Sequence, residues 1–440
     1  GFFDTYKFRG RLSDEEIEML KKKDIVFTNY DSLRINSIAL GKIHWRCMIC
    51  DEAQKIKSPQ TLVTVAAKGQ NADFKIVCSA TPIENTLVDL WNLVDYSKPG
   101  LLVSLTEFQK NYVKRTGGKV SPAELKKIND ELYDRIKGHY IRRDKDILPQ
   151  VLPKKKIRIY KRRANKVELD VINGLRKLEG NKLVLIQKML TASSHVDLVT
   201  ENNIFEMHPE TLIQRSSKLQ LLKVILDEIR SKEEKALIFT RSIKMQQILY
   251  KVIRHWYEIE VKIINGNIEE SKRTAIIDQF KRKEGFNVII LSPEVAGFGL
   301  TITEANHVIH YSRLWNPAKE DQATDRVYRI GQDKEVTVHY PILSFYEDSI
   351  EEYDNVRDYV EHYLTVDPTH MSPEEKLNIL LVRKKNMLMK FFLAVESADI
   401  TNEEFFELEN DCEDPVSITL EDIDRGIIDT HEFKALAALL

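Results

Sequence analysis

Two arginines, Arg326 and Arg329, stand three residues apart in the stretch Gln322-Ala-Thr-Asp-Arg-Val-Tyr-Arg-Ile-Gly-Gln332. If this stretch is helical, the i,i+3 spacing sets both guanidiniums on one face, and Gly331 is placed to end the helix in a left-handed cap. Two planar, permanently charged forks on one face suit a phosphate better than a lone carboxylate. The plainer alternative is a surface helix on which Asp325 and Arg329, at i,i+4, form an ordinary ion pair worth roughly a few tenths of a kcal/mol. A second pair lies far upstream, where Asp51 and Glu52 close the apolar run Arg46-Cys-Met-Ile-Cys50. An aspartate at such a strand end can hold Mg²⁺ through its water shell. The adjacent glutamate can orient and deprotonate a water for attack on a phosphoryl group. Ser79-Ala-Thr-Pro82 follows the next apolar run, so its hydroxyls fall on the same sheet edge as Asp51. Alone, each of these is an ordinary acidic strand end or a Ser/Thr/Pro turn.

These residues need elements to hold them. Short apolar runs at 24–31, 46–52 and 74–79 alternate with helix-length segments, the first of them capped by Ser13 and followed by Asp14-Glu-Glu16. Strands apolar throughout predict a parallel sheet covered on both faces, with ligands outside the carboxyl ends of its strands. From Leu87 to about Tyr140 the pattern is helical, broken at Gly117-Gly118 and Ser121-Pro122. A basic stretch from Ile141 to Arg163 follows, then helices to about residue 230. A second alternating series has strands at 235–240, 260–264, 287–292 and 307–311, with helices to about His255 and over 271–283. Two parallel-sheet domains joined by a basic, helical connector are expected. Beyond Asp367 the chain reads as helical, then acidic, with no Lys or Arg between Ala398 and Asp424.

A chain of 440 residues is too long for one core and suggests about two to four domains. The formal charge of -2 argues neither for nor against nucleic acid. There is no apolar run of membrane-spanning length and no signal pattern, so no membrane partner is expected. Of the cysteines, Cys47 and Cys50 form a lone C-x-x-C that no second pair completes; buried strand cysteines in a reducing cytoplasm are the expectation. The start at Gly1 and the stop at Leu440 inside a helix-period run read as an internal piece of a larger protein.

The ordered set Asp51-Glu-Ala-Gln54, Ser79-Ala-Thr-Pro82, Leu237-Ile-Phe239, Gly297-Phe-Gly-Leu-Thr301, Trp315-Asn-Pro317 and Gln322 to Gln332 resembles the helicase-like ATPases of superfamily two. More narrowly it resembles the Swi/Snf-type double-stranded-DNA translocases, as does Ile141-Arg-Arg-Asp-Lys followed by Leu152-Pro-Lys154. The resemblance covers about residues 20–350. It implies an α/β fold of two RecA-like parallel-sheet lobes with helical insertions, plus a mainly helical C-terminal segment. The implied boundaries are 1–140 for the rest of the first lobe, with a helical protrusion from about 88, and 141–215 for the connector and helical insertion. The second lobe takes 216–365 and the C-terminal segment 366–440.

The resemblance also implies roles. Asp51 and Glu52 become the metal-holding and water-activating pair, with ATP and Mg²⁺ as cofactors. Arg326 and Arg329 become arginine fingers reaching the γ-phosphate from the second lobe. Gln54, where the family usually has histidine, couples nucleotide to the facing lobe, together with Gln322. Ser79 and Thr81 link the lobes; Gly297, Gly299 and Thr301 sense nucleotide and DNA backbone together. DNA contacts, mostly to phosphates, are expected from Thr28, Asn29, Tyr30, Thr301, Trp315 and the connector around Arg142, Arg143 and Lys154 to Lys156; a solvated charge run is the alternative for the connector.

Several positions depart from the family. Ala80 stands where it has glycine, and Ser312-Arg313 replaces the more usual aspartate-proline. No G-x-x-x-x-G-K-[ST] occurs; Gly41-Lys42 and Gly118-Lys119 lack both spacing and hydroxyl. In the family that loop lies N-terminal to every motif above, so the fragment alone should bind ATP poorly. At the other end, Ile418 to Asp424 and Asp429-Thr-His-Glu-Phe through Leu440 are similar to the opening helix of Mrr-like restriction nucleases. Without the resemblance this is an amphipathic helix; with it, the nuclease's carboxylates and lysine lie beyond Leu440.

The expected function is an ATP-dependent double-stranded-DNA translocase in a bacterial cytoplasm, coupled to a nuclease and other proteins in defence against phage. The alternatives are a non-hydrolysing two-lobed DNA-binding scaffold, and a nuclease to which the motor delivers substrate.

Overall fold

The computed structural model describes residues 2–79, 87–113, 122–141, 152–178, 181–200, 202–294, 301–368 and 371–393. The chain divides into two compact units, whose main spans are Gly1–Arg142 and Arg143–Met387.

In the first unit, strand β1 (Thr5–Lys7) pairs in parallel with β2 (Ile25–Phe27), and β3 (Trp45–Cys50) with β4 (Ala72–Val77). The helix Asp14–Leu20 opens on a capping box: Ser13 Oγ accepts from Glu16 N at 3.2 Å and Glu16 Oε2 from Ser13 N at 2.8 Å. Two donors that a helix start leaves unsatisfied are thereby paired. One face of these strands packs on a core that includes Leu20, Leu33, Ile56, Leu93 and Tyr96. A helical cluster around Trp91, Phe108 and Leu132 continues from it.

The expectation of strands buried on both faces fails here. Ile49 is 63% exposed and Phe74 71%, with Cys47 exposed beside them. An apolar run says that a strand is fit to be covered twice; only packing decides whether each face is.

The second unit meets the expectation. Its seven strands run β11-β5-β10-β9-β6-β8-β7, formed by β5 (Lys155–Arg163), β6 (Lys235–Phe239), β7 (Lys262–Ile264), β8 (Asn287–Leu291), β9 (His307–His310), β10 (Val336–Ser344) and β11 (Ser349–Tyr353). All neighbours are parallel except β11, which runs antiparallel to β5. Alternation along β6 divides the core. Ala236 and Ile238 face helices Ser217–Ser231 and Ile243–Tyr257, whereas Leu237 and Phe239 face Ile277 and Phe280 of Glu270–Arg282. Such two-sided cover is what a parallel sheet requires.

Residues 155–163, expected within the connector, form β5 between β10 and β11. Ile157 and Ile159 are buried. Cations alternating with them are paired: Lys156 with Glu335 and Glu352 at 3.2 and 3.5 Å, and Arg158 with Glu228 and Glu352, each at 2.7 Å. Lys156 and Arg158 are therefore engaged within the fold rather than part of a solvated charge run. The helix Pro373–Leu393 also packs into this unit, with Leu377, Ile379, Leu381 and Val382 buried. Among the described residues no helix is long and apolar enough to cross a membrane. The nuclease-like C-terminal residues lie outside those described.

Candidate functional site

Asp51 and Glu52 leave the carboxyl end of β3. The chain turns sharply here because Glu52 takes a left-handed conformation, φ 50° and ψ 48°, which costs a non-glycine residue roughly 1–3 kcal/mol. Three bonds hold the turn. Ala53 N donates to Cys78 O at 2.9 Å, Glu52 N to Asp51 Oδ1 at 2.9 Å, and Tyr30 Oη to Asp51 O at 2.7 Å. A side-chain relay continues across the strand ends: Ser79 Oγ donates to Gln54 Oε1 at 3.1 Å, and Gln54 Nε2 to Glu52 Oε2 at 2.5 Å. A glutamate fixed in an unfavourable backbone well, with its carboxylate oriented by an amide, is suited to holding a water in one position.

Asp51 is exposed, and its Oδ2 has no hydrogen-bond partner among the described residues. A hard, accessible carboxylate oxygen fits a water-mediated Mg²⁺ ligand.

Tyr30, expected to meet DNA, ties the start of the helix Tyr30–Ile35 to Asp51, and burial pushes its phenol pKa upward. Asn29 caps that helix by accepting from Ser32 N at 2.8 Å. Thr28 and Asn29 remain exposed.

In the second unit the helix Pro317–Thr324 ends before either arginine. Arg326 and Arg329 lie in successive turns, so the expected single helical face is corrected. Tyr328 N still reaches Thr324 O at 3.0 Å, but Arg329 N bonds only to Val327 O, at 3.0 Å. Gly331 has the anticipated positive φ, 96°, but closes this turn rather than the helix. What shapes the loop is its bonding to residues 301–305. Ile302 N donates to Arg326 O at 2.9 Å and Arg329 Nη1 to Thr301 Oγ1 at 3.1 Å. The buried Gln332 amide donates to Thr303 O and Ala305 O at 3.0 and 2.8 Å. Val327 plugs the core beneath. The motif thus holds its arginines on a turn stapled to Thr301, an arrangement no window of helical periodicity predicts.

Gln322 is half-buried on the helix Pro317–Thr324. Trp315 is half-buried against a cluster that includes Ile172 and Met189, so most of its ring is engaged in packing. Thr81, Gly297, Gly299, Arg142 and Arg143 lie outside the described residues. Sequence reading passed over Thr240 and Ser312, whose hydroxyls meet at 2.9 Å just beyond the carboxyl ends of β6 and β9. Their position at a parallel sheet's carboxyl edge was the available signal.

Below this loop, His310 stacks between Phe239 and Tyr340, with ring centroids 5.6 and 5.3 Å away, and its Nε2 lies 2.9 Å from Thr324 Oγ1. Burial draws its pKa down to about 4 from 6.5. The charges facing it, Glu320 and Asp321 against Arg313 and Lys385, oppose one another. The sign follows from linkage. Above pH 6.5 the imidazole is neutral folded and unfolded; as pH falls from 6.5 towards 4 only the unfolded chain takes the proton, and stability is lost. Its full extent is about 3 kcal/mol at about one and a third kcal/mol per pKa unit. Thermal unfolding between pH 7 and 4.5 should show a shallower acid loss for His310→Gln than for the parent. Equal slopes would remove His310 as the cause.

A model of the SNF2-related domain matches residues 4–226, and one of the helicase conserved C-terminal domain matches residues 217–331. The Zorya protein ZorD of Escherichia coli O139:H28 (strain E24377A / ETEC) is 37% identical over 346 residues, 72% of this chain and 31% of its own. The putative ATP-dependent helicase/translocase YwqA of Bacillus subtilis (strain 168) is 34% identical, over 73% of this chain and 36% of its own. The DNA repair and recombination protein RAD26 of Saccharomyces cerevisiae is 29% identical, over 72% and 31%. The chain spans about a third of the length of these curated relatives.

Proposed function

Because the chain belongs to the SNF2-related family of helicase-like proteins, whose members are DNA-dependent ATPases, we propose that it is the motor of an ATP-driven double-stranded-DNA translocase. The observation that carries this reading is the strained, relay-held Glu52 beside the accessible Asp51. Asp51 would hold Mg²⁺ through water; Glu52 takes a proton from the water that attacks the γ-phosphorus as its bond to ADP breaks, and Arg326 and Arg329 stabilise charge on the transferred phosphoryl group. The metal, when bound, neutralises phosphate charge. Gln54 and Ser79 fix the direction of Glu52, and Thr301 that of Arg329.

DNA is gripped through its backbone, with Thr28, Asn29, Thr301, Arg142 and Arg143 as contacts, and the exposed part of Trp315 as a further one. Nucleotide coupling falls to Thr81, Gln322, Gly297 and Gly299. The relatives named as a putative ATP-dependent helicase/translocase and as a DNA repair and recombination protein support DNA as the track. The likeness to ZorD supports a place in bacterial anti-phage defence among other defence proteins; the nuclease coupling rests on the residue pattern from Ile418 to Leu440 alone.

The test is ATP hydrolysis by the full-length protein with and without closed circular duplex, beside displacement of a third strand from a triplex. Hydrolysis should be stimulated by the closed circle, and displacement should need ATP without strand separation. DNA affinity should fall linearly with salt on a logarithmic scale. DNA binding without hydrolysis would establish the scaffold reading instead. DNA cleavage that persists without ATP would favour the nuclease as the primary activity.

A further inference from the structure

Arg313, one of the two positions where the chain departs from the resembled family's aspartate-proline, is buried. Its guanidinium grips Glu320 with two bonds, Nε to Oε1 at 2.9 Å and Nη2 to Oε2 at 3.0 Å, and lies 4.0 Å above the centroid of Tyr340. Its Nη1 donates to Asn378 Oδ1, which also accepts from Tyr359 Oη at 2.7 Å. Glu320 Oε1 accepts from Leu314 N at 2.7 Å as well. At the next residue of the same helix, Asp321 Oδ1 meets Lys385 Nζ at 2.6 Å. A forked, buried ion pair fixes orientation more strictly than an apolar contact of equal size.

Both tethers connect the helix Pro317–Thr324 to the helix Pro373–Leu393. The second helix has its own firm seat. Glu374 pairs with the fully buried Lys218 and accepts from Leu343 N at 2.8 Å, and Glu375 accepts from Ser344 Oγ at 3.0 Å and Ser372 N at 2.9 Å. The family models stop at residue 331, short of this helix. The chain passes from Thr324 into Arg326 with a single residue between, so any rotation of Pro317–Thr324 is carried into the arginine turn.

We propose that the helix beginning at Pro373 is a brace that regulates the arginine turn, with Arg313 and Lys385 as positioning residues that make phosphoryl transfer depend on the brace being docked. The proposal rests on reading Arg326 and Arg329 as the arginines of hydrolysis. A partner that draws the brace from its seat switches hydrolysis off without touching ATP.

The experiment compares kcat and KM for ATP in the full-length protein at saturating duplex DNA, with the unfolding midpoint measured alongside. The variants are Lys385→Glu, Asn378→Ala and the exchanged pair Lys385→Glu with Asp321→Lys. Each single change should lower kcat roughly tenfold, within the range of remote coupling, while KM stays at the parent value because ground-state binding is untouched. The exchanged pair should recover kcat. A purely structural role would move the midpoint and leave kcat per folded molecule unchanged, which overturns the proposal. So does a parent-like kcat in both single variants. Lys385→Glu guards against misfolding of Asn378→Ala, since Lys385 is not a core residue. Glu52→Gln and Arg326→Ala separate the two levels. If hydrolysis ignores them, the functional reading fails and the brace with it. If hydrolysis responds to them but not to the tether changes, the brace alone fails.

Discussion

Glu52→Gln should lower kcat for DNA-stimulated ATP hydrolysis by roughly 10²–10⁴-fold, the usual worth of a positioned general base. The amide keeps the size and the hydrogen-bonding reach of the carboxylate, so the relay from Ser79 through Gln54 can persist, while the group that accepts water's proton is gone. DNA binding and the unfolding midpoint should stay close to the parent. Hydrolysis at the parent rate in single-turnover measurements would remove Glu52 from the chemistry.

Arg326→Ala and Arg329→Ala should each reduce kcat more steeply, by about 10³–10⁵-fold for a finger that meets the transferred phosphoryl group. The two need not be equal. Arg326 is half-buried in a turn whose carbonyl is bonded to Ile302 N, whereas Arg329 is exposed and its Nη1 is shared with Thr301. Lysine at either position should not restore activity, since a point charge lacks the planar fork. ATP affinity, read by a fluorescent analogue, should change far less than kcat. A loss confined to affinity would make these residues binding groups rather than transition-state groups.

Much of this was legible from residue types in order. Asp51-Glu52 after an apolar run, the hydroxyls of Ser79, and paired arginines beside Gly331 are each ordinary alone; it is their order, and the family it resembles, that points to phosphoryl chemistry. The α/β class with parallel strands also followed from apolar runs separated by helix-length segments, because a strand covered on both faces has to be apolar at every position. Strand β5 escaped for the opposite reason. Lys155-Lys-Ile-Arg-Ile-Tyr-Lys-Arg-Arg163 carries a cation at most of its positions, and their partners Glu228, Glu335, Glu347, Glu351 and Glu352 lie far along the chain. A charge neutralised by a distant residue looks solvated in any local window.

The arginine turn shows the division most clearly. Local chemistry specified two guanidiniums and a glycine with positive φ, since those are properties of single residues and their neighbours. That the helix stops at Thr324, that Thr301 and Gln332 staple the turn, and that Arg313 with Glu320 and Asn378 seats the helix were decided by contacts reaching up to 65 residues along the chain. Helical periodicity reaches only one turn, whereas a buried ion pair acts wherever the fold brings its partners together and excludes water from them.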